Sequence, residues 1–118
     1  RPMREIKAEI MSGPHDKAAI YRWGPFDGGS AIRPLHLPES RTPVTVQIFK
    51  SGPGAVSILG TLDPGANATY ALVADARGIP LTSVTGLHAL GYPVAAIMPA
   101  VSPDTRDVTV YVRVWRER

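Results

Sequence analysis

The sequence contains no cysteine, which removes disulfides, thiolate nucleophiles and Cys-ligated zinc together. It also lacks any apolar run near the roughly 20 residues that a membrane-spanning helix needs. Its opening, Arg1-Pro2-Met3-Arg4-Glu5-Ile6, has no signal-peptide-like apolar stretch. The chain therefore reads as soluble, of cytoplasmic origin and without a membrane partner. With no initial Met, Arg1 is expected to follow a processing point or to lie inside a longer chain. Aromatics are few, with two Trp, four Tyr and two Phe, so the core is expected to be aliphatic. Charge of one sign is missing too: 13 Lys/Arg are interspersed with 10 Asp/Glu, a weak footprint for nucleic acid. The mixed Arg113-Val114-Trp115-Arg116-Glu117-Arg118 end reads as a solvated strand end or a subunit salt bridge.

Chemistry-bearing patterns are equally scarce. His15, His36 and His88 stand far apart, and none pairs with a patterned carboxylate, so no metal-ligand spacing is visible. Asp63, Asp75, Asp104 and Asp107 lack calcium-loop alternation and fit turns or strand ends. No Ser sits in a G-x-S-x-G elbow. Ser51-Gly52-Pro53-Gly54 lacks the Lys-Ser/Thr ending of a phosphate loop and reads as a turn. Asn67-Ala68-Thr69 matches a glycosylation acceptor, a motif that arises often by chance. No catalytic residue, cofactor or metal is expected, and the protein is not expected to be an enzyme.

What remains is a β pattern. The 118 residues fit one domain with one modest core. Six of the twelve prolines, Pro2, Pro14, Pro25, Pro34, Pro38 and Pro43, fall within the first 43 residues and keep regular structure there short. Residues 4 to 11 alternate well enough for one strand, with Ile6, Ala8 and Ile10 on one face, and a single helical turn is the rival reading. Tyr21, Trp23 and Phe26 lie among Gly24, Gly28 and Gly29, too aromatic for a free linker and too broken for a packed element. Residues 1–41 thus read as an extended, Pro-rich arm that docks on the body or on a neighbouring subunit. Such an arm could be deleted without unfolding the rest.

From residue 42 onward, short β-branched runs alternate with turn residues, the pattern of an all-β antiparallel sandwich or jelly-roll-like barrel spanning residues 42–118. Strands are expected over 43–50, 55–62, 69–74, 81–84, 93–101 and 107–115. The first two are read as a hairpin across Ser51-Gly52-Pro53-Gly54. The last strand is the clearest, with Val108, Val110, Val112 and Val114 inward and Thr109, Tyr111, Arg113 and Trp115 outward. Tyr, Trp and Arg are enriched at binding hot spots. The candidate interface is accordingly Tyr21, Trp23, Phe26, Tyr111, Arg113 and Trp115.

The order of Val44-Thr45-Val46, Gly60-Thr61-Leu62-Asp63, Asp75-Ala76-Arg77-Gly78, Leu81-Thr82 and Asp107-Val108-Thr109-Val110 resembles a group of small β-structured virion proteins of tailed bacteriophages, of the kind that decorates or cements the head. The likeness covers residues 42–118. It departs at Tyr70, where a Trp is frequent in the group, and the Pro-rich arm lies outside it. The resemblance implies a non-enzymatic virion protein made in the host cytoplasm and placed on the capsid exterior. Its partners would be the major capsid protein and copies of itself in a homotrimer. Two other readings stand beside it. One is a carbohydrate- or protein-binding sandwich module using Trp23, Tyr92 or Trp115; the other is a tail or connector component.

Overall fold

The computed structural model describes residues 4–13, 16–37, 44–63 and 65–115. The expected boundary between residues 41 and 42, His15 and residues 116–118 lie outside the described residues. Eleven strands follow one another among the described residues, with no helix between them. They are β1 (Glu5–Ile6), β2 (Glu9–Ile10), β3 (Ala18–Phe26), β4 (Ala31–Ile32), β5 (Leu35–His36), β6 (Thr45–Lys50), β7 (Val56–Thr61), β8 (Ala71–Leu72), β9 (Gly86–Ala89), β10 (Ala96–Val101) and β11 (Val108–Trp115). Two sheets, β2-β3-β11-β6-β9 and β5-β10-β7-β8, carry most of the chain, and β1 pairs with β4 in parallel beside them. Both large sheets are antiparallel. They bury one common core between them, so the fold is an all-β sandwich.

Strand β11 organises this core. Its valines at 108, 110, 112 and 114 are all buried, while the residues between them face outward, because side chains alternate faces along a strand. On one side β11 pairs with β6, bringing Val46 opposite Val112 and Ile48 opposite Val110. On the other it pairs along its length with β3, from Ala18 opposite Trp115 to Phe26 opposite Val108. The second sheet contributes Val56, Ile58 and Ile97 to the same cluster.

The pairing of β3 corrects the reading of residues 1–41 as a separable arm. Residues 18–26 are an interior strand of the larger sheet, and Trp23 is 0% exposed. The indole Nε1 of Trp23 donates to the Arg33 carbonyl at 2.9 Å, which satisfies its one polar atom inside the core. One extra residue accommodates the Gly24-Pro25 pair: Val110 lies opposite Trp23, but Val108 lies opposite Phe26, three positions on. This bulge changes the alternation so that Trp23 and Phe26 both point inward. Gly24 adopts φ of +100°, and a Cβ there would come within 2.5 Å of the Val108 carbonyl oxygen, so the bulge requires glycine. Pro25 needs no ladder partner on its other side, since β2 reaches only Arg22 and Tyr21.

Three smaller expectations also change. Residues 4–11 form two short strands instead of one, and Ile10 is exposed while Ile6 is buried. The strands at 45–50 and 56–61 are present but do not form a hairpin: β6 lies in one sheet and β7 in the other. The turn between them crosses the sandwich instead. Gly54, at φ of +103°, packs against the fully buried Thr105, whose hydroxyl accepts from the Ala55 amide at 3.2 Å. Residues 81–84 are not a strand, although Leu81 is buried and its amide bonds the Val73 carbonyl; the strand falls later, at β9.

Replacing Trp23 by Ala is expected to cost about 3–5 kcal/mol of stability, the usual range for emptying a buried Trp site. Replacing Trp115, on the outer surface, should cost about 1 kcal/mol or less. Chemical denaturation of both variants checks the contrast. Deleting residues 1–41 removes β3 and is expected to abolish the cooperative unfolding transition, seen by far-UV circular dichroism; a folded truncation would overturn the interior role of β3.

Candidate interaction face on the five-stranded sheet

Residues opposite one another in an antiparallel ladder project to the same face, so the register of the larger sheet assigns its outer surface row by row. One row runs Ile20, Arg113, Thr45, Ala89. The next runs Glu9, Arg22, Tyr111, Gln47, Leu87. Beyond these lie the pairs Thr109–Phe49 and Ala18–Trp115. Phe49 is 59% exposed, Leu87 69% and Trp115 36%. Phe49 and Leu87 hold diagonal positions on β6 and β9, and large apolar side chains so open and adjacent are unusual for a surface that meets only water; Trp115 lies at the far end of the same face.

The charged groups in these rows are two guanidinium groups and one carboxylate, beside the polar Thr45, Gln47, Thr109 and Tyr111. Arg113 stacks over the Trp115 ring, with its guanidinium carbon 4.5 Å from the ring centroid, a cation–π geometry. Arg22 approaches Glu9 at 3.6 Å, a loose pair because the Glu9 side chain is 71% exposed. The Arg22 Nε is buried and has no hydrogen-bond acceptor.

The six sequence candidates separate cleanly. Tyr111, Arg113 and Trp115 stand together on the outer face. Trp23 and Phe26 are core residues, and Tyr21, opposite Val112, packs on the core side; these three are corrected from interface to interior. The sequence reading missed Arg22 and Leu87, because strands β3 and β9 were not foreseen. It also left out Phe49, although Thr45, Gln47 and Phe49 already alternated against Val44, Val46 and Ile48 and so pointed outward.

Elsewhere the ionisable groups serve local structure. Asp75 Oδ1 accepts from the amides of Ile79 and Arg77, each at 2.9 Å. Those bonds, the Ile79 one foremost, hold its carboxyl below its ordinary pKa against a burial penalty. Asp104 is lowered chiefly by the Ser102 hydroxyl, 2.7 Å away. Glu5 is lowered by the hydrogen bond and charge of Arg33 at 2.8 Å. Burial, with Asp63 nearby, raises Tyr70. Asp63 Oδ1 accepts from Gly65 N at 2.8 Å, and Asp107 accepts from the Ser51 hydroxyl. His88 Nε2 donates to the Thr85 carbonyl at 2.7 Å. Among the described residues no three His, Cys, Asp or Glu side chains are grouped to hold a metal, and no helix is long and apolar enough to cross a membrane.

The second sheet carries an open groove of about 350 Å³ beside strand β8, lined mainly by apolar side chains including Leu62, Leu72, Val94 and Tyr92. The Tyr92 hydroxyl accepts from the Ala74 amide at 3.2 Å. No protein-family model, curated protein or solved structure matches the chain.

Because the folded-state pKa of Asp75 lies below the unfolded one, its contribution to stability is complete above the unfolded value and is lost as pH falls through the folded value. Asp75→Asn is therefore expected to lower the denaturation midpoint at neutral pH, with the gap to wild type closing as the pH is taken down through the acid range. A gap of constant size across that range would show that the carboxylate charge is not what holds the turn.

Proposed function

We propose that the protein is a non-enzymatic structural component of a tailed-bacteriophage virion, a decoration or cement protein that binds the outside of the capsid shell and stabilises the head. The observation that carries the reading is the outer face of the five-stranded sheet, where Phe49, Leu87 and Trp115 stand exposed on the same surface as the half-buried Tyr111. Aromatic and Arg residues dominate binding hot spots. A rigid sandwich face presented many times over a lattice gains avidity from modest single contacts. The resemblance of residues 42–118 to head-decorating proteins supplies the class of partner: the assembled major capsid protein, approached by a homotrimer of this chain.

A glycan-binding module is the second reading. It loses Trp23, which is buried, and one face of Trp115, which the Arg113 guanidinium covers. It retains Tyr92, 43% exposed beside the apolar groove, and would require saturable glycan binding that Tyr92→Ala abolishes. A tail or connector role would instead produce larger cyclic assemblies.

Light scattering over a concentration series is expected to give a trimer. Gradient sedimentation is expected to carry the protein with assembled coat-protein shells but not with free coat subunits. A double Phe49→Ser, Leu87→Ser variant should keep its fold and lose at least about tenfold in shell affinity, in line with removal of one or two apolar anchors. Undiminished shell binding by that variant would exclude this face as the contact.

A further inference from the structure

We infer that the outer face of the five-stranded sheet is built for an acidic protein surface, in which a carboxylate docks on Arg22 and Arg113 while apolar side chains cover Phe49 and Leu87. This deepens, and rests on, the docking role proposed above.

Arg22 and Arg113 occupy diagonal positions on the outer face. Arg113 stands opposite Ile20 and Arg22 opposite Tyr111 on adjacent strands, a spacing within reach of long side chains. Among the described residues Arg113 has no acidic partner. Its one charge-related contact there is the Trp115 ring, and no described residue accepts from its fork of donors. Arg22 is only loosely paired with Glu9, and its Nε is buried with no acceptor. The Nε lies out of a partner's reach, but 29% of the Arg22 side chain is exposed, and a partner's carboxylate can meet that exposed part with a charge-assisted bond.

The neighbours choose between occupants. A phosphate backbone would be met by a row of cations, whereas here two guanidinium groups share the face with Glu9, Phe49 and Leu87. A second copy stacked face to face would set arginine against arginine. An acidic protein surface with interspersed apolar groups matches both the charge and the apolar area.

The full chain, isotope-labelled, is titrated with a synthetic peptide of alternating Leu and Glu, with a matched Leu and Gln peptide, and with oligothymidylate. NMR follows the Arg22 and Arg113 Nε–H signals and the Trp115 indole N–H. The Leu/Glu peptide should shift all three and bind about tenfold tighter than the Leu/Gln peptide. Arg113→Gln, an outward substitution, should erase that preference while leaving Leu/Gln affinity and melting temperature unchanged. Equal affinity for the two peptides at this face overturns the acidic-partner inference but leaves docking intact. Tighter binding of oligothymidylate overturns it in favour of nucleic acid. Failure of both peptides to perturb the face overturns the inference and the docking role together.

Discussion

Strand β11 is buried on one face, and its backbone must be paired along both edges. The valine ladder that makes it the most legible strand of the sequence also commits it to the interior, where an unpaired amide or carbonyl is costly. One edge is satisfied by β6. The other can be satisfied only by a strand of similar length, and that strand is β3. Trp23, Phe26 and Ala19 come with it, buried on the same face opposite Val110, Val108 and Val114, and Trp23 and Phe26 supply large side chains to the core. The N-terminal third is therefore not an attachment to a finished sandwich but half of its central pairing.

This dependence explains which parts of the fold were legible. Strands β6, β7, β10 and β11 have β-branched or apolar alternation bounded by turn residues, and local pattern suffices for them. Strand β3 has the same alternation through Ala19, Tyr21 and Trp23, but the bulge at Gly24-Pro25 breaks it one residue before Phe26. Gly and Pro ordinarily end elements, and here they reset the phase of one. Strand β9, Gly-Leu-His-Ala, has no β-branched residue and exists because β6 offers it an edge; tertiary pairing overrides weak propensity there. The Ser51–Gly54 turn was recognisable as a turn, yet turn chemistry does not say which sheet the next strand joins.

The candidate interaction face divides along the same lines. On β11 the outward positions follow from strict alternation, so Tyr111, Arg113 and Trp115 were correctly placed on one side. Their significance depends on neighbours contributed by other strands: Arg22 from β3, Phe49 from β6 and Leu87 from β9. No window of sequence contains that group. Conversely, Tyr21, Trp23 and Phe26 look like contact residues in isolation, and only the register of β3 against β11 turns them inward. Aromatic residue type carries less information than the face on which it lies.

The outer strands favour contact through this face over contact through sheet edges. Strands β2, β5 and β8 contribute only two residues each at the margins. Strand β9 is partly closed by the bridge between Asp75 and Leu90 and by the Ala76 amide, which bonds the Ala89 carbonyl. Short, irregular margins offer a poor template for adding a further strand. An association dominated by main-chain pairing would be tolerant of sequence, whereas one made by side chains on a flat sheet can discriminate shape and charge. The Arg113–Trp115 stack fits that second mode, because it presents a fixed cation amid apolar surface, and a buried contact there must either match the charge or leave it unpaired.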